Sequence, residues 1–129
     1  MSKKIYTSEN VKASGPYSHA VDAGNYIFFS GQTAMNGTEE HLIRAKGGIK
    51  EQTERALSYL ESVMGKAGVT ESDVVKVNVY LTSMTQFEEM NAAYGEFFSE
   101  PYPARTCVAV QDLPLHADVE IEAIAEAPQ

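Results

Sequence analysis

The sequence predicts an α+β fold, with a sheet of about six strands and two helices on one of its faces, in a single domain spanning residues 1–129. Three observations predict it. Extended runs outnumber helical ones, in the order strand, strand, strand, helix, strand, helix, strand, strand. Two helices cover only one face of such a sheet. The runs at 26–29 and 74–81 nevertheless carry bulk on both faces. A second cover is therefore needed, and a partner subunit in a symmetric homo-oligomer is the economical one.

Each element has its own signal. Val21-Asp22-Ala23-Gly24-Asn25-Tyr26 sets a Gly-Asn turn between two short extended runs, a hairpin pattern. The second run, Tyr26-Ile27-Phe28-Phe29-Ser30, is nearly all apolar and reads as a strand buried on both faces. It ends at Ser30-Gly31-Gln32. Met35-Asn36-Gly37-Thr38 is a turn, and a loop of about ten residues follows, a length commoner in functional loops than in plain connections.

From about 48 to 67 the pattern is helical. Ile49, Ala56, Leu57, Leu60, Val63, Met64 and Ala67 form one stripe, with Glu51, Glu54, Arg55, Ser58 and Glu61 facing away. Gly68 is placed to cap the helix, and residues 70–73 read as a turn. A strand follows at 74–81, in which Val75, Val77, Val79 and Leu81 alternate with Lys76, Asn78 and Tyr80. Thr85-Gln86-Phe87-Glu88 has capping-box spacing and opens a second helix. Phe87, Met90, Asn91, Tyr94, Phe97 and Phe98 form its inner side, and Pro101 and Pro103 end it. Strands follow at about 104–111 and 117–125, joined through Leu113-Pro114.

Charge and cysteine content remove several function classes. The net charge of −8 argues against nucleic acid, whose phosphates are gripped mainly by clustered Lys and Arg. It also disfavours anionic membrane surfaces. Cys107 is the only cysteine, so neither an internal disulfide nor a multi-cysteine zinc site is expected. His19, His41 and His116 lack metal-ligand spacing and read as surface or loop residues. The first residues contain no apolar signal core, and no apolar run reaches membrane-spanning length. A reducing cytosol is the default compartment.

The chemistry is concentrated late in the chain. Pro103-Ala104-Arg105-Thr106-Cys107 is followed, thirteen residues after the cysteine, by Glu120-Ile121-Glu122-Ala123. Arginine is unusual inside a strand, where β-branched and aromatic side chains are favoured. Its guanidinium fork suits a carboxylate gripped by two parallel hydrogen bonds. Glu120, read as lying on the neighbouring strand, is then placed to hold or activate a water. The competing reading is a structural Arg105–Glu120 ion pair. Cys107 is open to two readings, a thiol nucleophile or a small buried hydrophobe, and no histidine partner is evident in the sequence. Glu122 shares a side with Glu120 and reads as solvated. Asn91 reads as a helix–loop hydrogen-bonding residue.

Taken in order, the chain resembles the RidA (YjgF) family of reactive-intermediate deaminases. The matching blocks are Gly15-Pro16-Tyr17-Ser18, Ser30-Gly31-Gln32, and Gln52-Thr53 with Leu57. They continue with Gly68, Val75-Lys76, Val79, and Phe87 with Asn91, Tyr94 and Phe97-Phe98. Pro103 to Val108, Leu113-Pro114 and Val119 to Ala125 complete them. The resemblance implies a chorismate-mutase-like fold with a mixed sheet, assembled as a homotrimer with clefts between subunits. It implies hydrolysis of 2-imino acids such as 2-iminopropanoate and 2-iminobutanoate to 2-keto acids and ammonia, with no cofactor and no metal.

Carried over residue by residue, Arg105 binds the substrate carboxylate and Glu120 positions the water. Tyr17, Ser30 and Gly31 line the cleft, and Cys107 presents its backbone to the imine. Read structurally, Tyr17 is instead a core aromatic and Ser30 a strand cap. The chain departs from the family at His19, where Gln is common, at Tyr59, where Asn is frequent, and in the loop 41–47. That loop bears on substrate preference more than on chemistry. Two other functions remain: a non-catalytic module that binds small carboxylates, and an endoribonuclease or translation inhibitor. The acidic composition weighs against the latter.

Overall fold

The computed structural model describes residues 3–38 and 47–129. Six strands make one sheet: β1 (Lys4–Tyr6), β2 (Ala20–Asp22), β3 (Tyr26–Gln32), β4 (Val74–Leu81), β5 (Ala104–Ala109) and β6 (Val119–Glu126). Their order across the sheet is β1-β2-β3-β6-β4-β5. Every neighbouring pair is antiparallel except β4 and β5, which run parallel. Two helices, α1 (Ile49–Ala67) and α2 (Phe87–Phe97), pack on the sheet and against each other. The expected mixed sheet and helical layer are present. His41 and all of the 41–47 loop except Gly47 lie outside the described residues. No helix among the described residues is long and apolar enough to cross a membrane.

The core follows the predicted stripes. All seven residues of the α1 stripe are buried, Leu57 and Leu60 to 1% exposure. Burying a leucine stabilises the fold by roughly 1.5–3 kcal/mol. Gly68 ends the helix in the left-handed region, at φ 76°, and its N–H bonds the carbonyls of Met64 and Gly65. From the sheet, Ile27, Phe29, Val77, Val79, Leu81, Val119, Ile121, Ala123 and Ala125 face this layer. Met90, Tyr94 and Phe98 join from α2 and its end.

The polar members of the α1 face have a specific task. Buried Gln52 donates to Asp118 Oδ2 and to the carbonyl of Gly47, at 2.9 Å each, and accepts from the Asp118 N–H at 2.9 Å. This ties the helix start to the residue just before β6 and so fixes the strand that carries Glu120.

Four local expectations are corrected. The β3 strand is buried on one face only within the chain: Ile27 and Phe29 point inward, while Tyr26 and Phe28 remain 45% and 48% exposed. In β4 a register irregularity between Val74 and Lys76 buries Val74 and leaves Val75 exposed, the reverse of simple alternation. The capping box before α2 is Ser83 with Gln86, which form a 3-10 turn, and Thr85 lies inside that turn. His19 is buried, its Nδ1 accepting from the Ser8 N–H at 3.1 Å, because this loop folds back against the core. His116 is exposed, at the tight turn preceding β6.

Candidate active site

Strand order decides the geometry. Because β6 pairs with both β3 and β4, Arg105 on β5 and Glu120 on β6 are not on neighbouring strands. The register adds a second separation. Arg105 pairs with Val77 and Cys107 with Val79, both inward residues, so Arg105 and Cys107 lie on the helix side. Glu120 pairs with Tyr80 and Glu122 with Asn78, on the open side. The expected Arg105–Glu120 adjacency is therefore wrong within one chain, and so is the structural ion pair between them.

Arg105 is held by α2. Its Nη1 donates to Asn91 Oδ1 at 2.7 Å. The guanidinium lies 4.8 Å from the Tyr94 ring centre and 5.6 Å from that of Phe87. Phe87, Asn91 and Tyr94 follow the three- and four-residue spacing that puts side chains on one helix face. That spacing was visible in the sequence, but nothing there linked it to the arginine. Among the described residues no carboxylate pairs with Arg105. Together with Tyr102 and Pro103, Arg105, Asn91 and Tyr94 line a hollow at the sheet edge. The Tyr94 hydroxyl is buried, with no hydrogen-bond partner among the described residues. Burial pushes it up to about 12, against the opposing charge of Arg105.

Glu120 belongs to a second hollow, lined also by Tyr17, Ser30, Gly31, Pro114 and Glu122. Gly31 is there for space. A Cβ at this position would overlap the Glu120 Oε2, so the carboxylate lies directly against the bare backbone of β3. Burial raises the Glu120 carboxyl above its ordinary value, and the neighbouring Glu122 raises it further. Tyr17 is not a core aromatic: it is 39% exposed, and its oxygen accepts from the Ser14 N–H at 3.3 Å. The Ser30 hydroxyl donates to the Ser18 carbonyl at 2.6 Å, which fixes the hollow's wall.

Cys107 is half-buried on the Arg105 side. Burial pushes its thiol up, and Arg105 only partly opposes this, the reverse of an activated thiolate. Glu122 is not simply solvated. Its Oε1 accepts from the Tyr80 hydroxyl and, at 3.2 Å, from Asn78 Nδ2. The sequence showed that Glu122 shares a side with Glu120 but not that two donors from β4 hold it.

Comparison with known proteins finds matches along nearly the whole chain. A RutC family protein of Pyrococcus horikoshii is 42% identical over 97% of this chain and 98% of its own length. A protein of Dermatophagoides farinae named 2-iminobutanoate/2-iminopropanoate deaminase is 40% identical, over 85% of this chain and 84% of its own length. Among solved structures, a candidate endoribonuclease of Thermotoga maritima superposes with a TM-score of 0.90 at 40% identity, over 99% of this chain and all of that one. The family profile described as Endoribonuclease L-PSP matches residues 7–127. The chain belongs to this family, the RidA (YjgF) proteins.

Proposed function

We propose that the protein hydrolyses small 2-imino acids, such as 2-iminopropanoate and 2-iminobutanoate, to 2-keto acids and ammonia. One observation carries this reading above all: Arg105 is oriented by Asn91 and two aromatic rings and has no carboxylate partner among the described residues. A guanidinium held in this way suits a carboxylate that arrives with the substrate. The deaminase name of the 40% identical Dermatophagoides farinae protein supports the same reaction.

The chemistry asks little of the protein. A protonated imine carbon is electrophilic already. Arg105 holds the carboxylate, and water adds to the imine carbon while Glu120 accepts its proton. Glu120 then returns that proton to the nitrogen of the carbinolamine, the C–N bond breaks as the hydroxyl gives its proton back to the carboxylate, and ammonia leaves behind a carbonyl. A carboxyl raised by burial holds a proton more readily than a free one, which suits it to both halves of this exchange. The roles of Tyr17, Ser30, Gly31 and the Cys107 backbone are to shape the cleft around the imine.

The two hollows of one chain lie on opposite sides of the sheet, so the proposed site is shared. Arg105 of one subunit meets Glu120 of the next in a homotrimer, which also covers the open face bearing Tyr26 and Phe28. The cytosol is the expected compartment for such a scavenging reaction.

A coupled assay tests the proposal. A pyridoxal-phosphate dehydratase supplies 2-aminoacrylate or 2-aminocrotonate, and keto-acid release is followed with and without the protein. Acceleration above the spontaneous rate is expected. Saturable binding of small keto acids without acceleration would instead indicate a binding module. Salt-dependent RNA cleavage by nuclease-free preparations would indicate the endoribonuclease that the family description names.

A further inference from the structure

The open side of the sheet holds a polar cluster that the proposed reaction has not used. Tyr80 sits directly across from Glu120 in the β4–β6 register, yet its hydroxyl reaches past Glu120 to Glu122. Asn78, across from Glu122, donates to the same carboxylate oxygen. Two donors from one strand thus converge on one oxygen of a glutamate two residues from Glu120 and on the same side. Residues two apart on a strand share a face and stand roughly 7 Å apart, close enough for charges to interact. Glu122 also helps line the hollow that contains Glu120.

We propose that Tyr80 and Asn78 pin Glu122 as a fixed neighbouring anion that governs the protonation of Glu120, making Glu122 a positioning residue for the hydrolysis proposed above. This inference rests on that proposal for its purpose, but not for its geometry. The groups facing Glu120 can be named element by element. Within one chain they are Glu122 from β6, Tyr80 from β4, Tyr17 from the loop before β2, and Ser30 with the bare Gly31 from β3. In the proposed homotrimer the Arg105 of the next subunit adds a cation that opposes Glu122. Lys76 lies beyond, in the adjoining hollow beside Glu122, and its ammonium donates to Thr106 Oγ1 at 2.9 Å.

Pinning matters because a mobile glutamate would swing away from a like charge into water. Held in place, Glu122 penalises ionisation of Glu120 and favours a proton there. A water-activating carboxylate works best when its affinity for protons approaches the working pH. The same contacts account for Tyr80, whose hydroxyl is pushed up to about 12, chiefly by its bond to Glu122.

The test follows the Glu120 carboxyl carbon by 13C NMR in glutamate-labelled full-length protein, with resonances assigned from Glu120→Gln and Glu122→Gln. The Glu120 titration midpoint is expected to lie lower in Glu122→Gln than in the unmodified protein. Tyr80→Phe keeps the ring and frees Glu122, and should move the midpoint the same way by less. The acid limb of kcat/KM for 2-iminobutanoate should shift downward in the same two variants. A midpoint unchanged in folded Glu122→Gln overturns the proposal, whether or not the protein turns over imines. A midpoint that moves in a protein with no imine hydrolysis supports the coupling and rejects the assigned reaction instead.

Discussion

Arg105 and Glu120 stand on opposite faces of one sheet, with β4 between their strands. Two strand spacings separate them laterally by about 10 Å, and the sheet itself lies between their side chains. No side-chain rotation within one chain brings them together on one small substrate. In the proposed homotrimer each chain would offer its Arg105 hollow to one neighbour and its Glu120 hollow to the other.

Assembly is the first expectation. Native mass spectrometry at micromolar concentration should show one dominant species of three chains, because the open sheet face leaves Tyr26 and Phe28 about half exposed. A dominant monomer would remove the shared cleft.

Arg105→Ala should lower kcat/KM for imino acids by roughly 10²-fold or more, the scale of losing one partner of a charged pair. Arg105→Lys should rescue little, because an ammonium cannot reproduce the two parallel bonds or the fit between Tyr94 and Phe87. Steady-state kinetics on folded variants decides this, and near-normal turnover by Arg105→Ala would disprove the carboxylate site.

Glu120 and Cys107 should separate cleanly. Cys107→Ser should retain most of its activity, because burial keeps the thiol protonated and only the backbone is assigned a role. Glu120→Gln should lose kcat yet gain thermal stability at neutral pH. The sign follows from linkage. Folded Glu120 holds its proton more tightly than the unfolded chain does, so its contribution favours folding in acid and is lost as pH rises through its folded titration. The Tm difference between Glu120→Gln and the unmodified protein should therefore be positive at pH near 8 and shrink towards pH near 4.

Gly31→Ala should damage turnover more than folding. The new methyl would displace the Glu120 carboxylate, the free end of a flexible side chain, so stability changes little. Displacing a reacting group by about 1 Å can cost on the order of 10²-fold in rate. Equal losses in Tm and kcat would mean that Gly31 serves the fold alone.

Much of this was legible in the sequence. Alternation in Val119-Glu120-Ile121-Glu122-Ala123 assigns both glutamates to one side of their strand, and the α1 stripe is buried as read. What period-two alternation does not encode is which strand lies next to which. β6 enters between β3 and β4, and this separated Arg105 from Glu120. Nor does it fix the phase of one strand against another, which put the two residues on opposite faces. At Val74-Val75 two equal side chains left the choice to a backbone irregularity. Ser83–Gln86 and Thr85–Glu88 both have capping-box spacing, and the chain forms the first. The grip of Asn91 on Arg105 joins residues from separate elements and left no local signal.

Subunit complementation tests the shared cleft most directly. Arg105→Ala and Glu120→Gln are each purified, shown to be inactive, mixed, dissociated and reassembled, with mixed oligomers confirmed by mass. In a closed trimer every mixed ring holds one intact cleft of three, so random mixing should restore roughly a quarter of the unmodified activity. Mixed oligomers that form but remain as inactive as either parent would contradict a site built from Arg105 of one chain and Glu120 of the next.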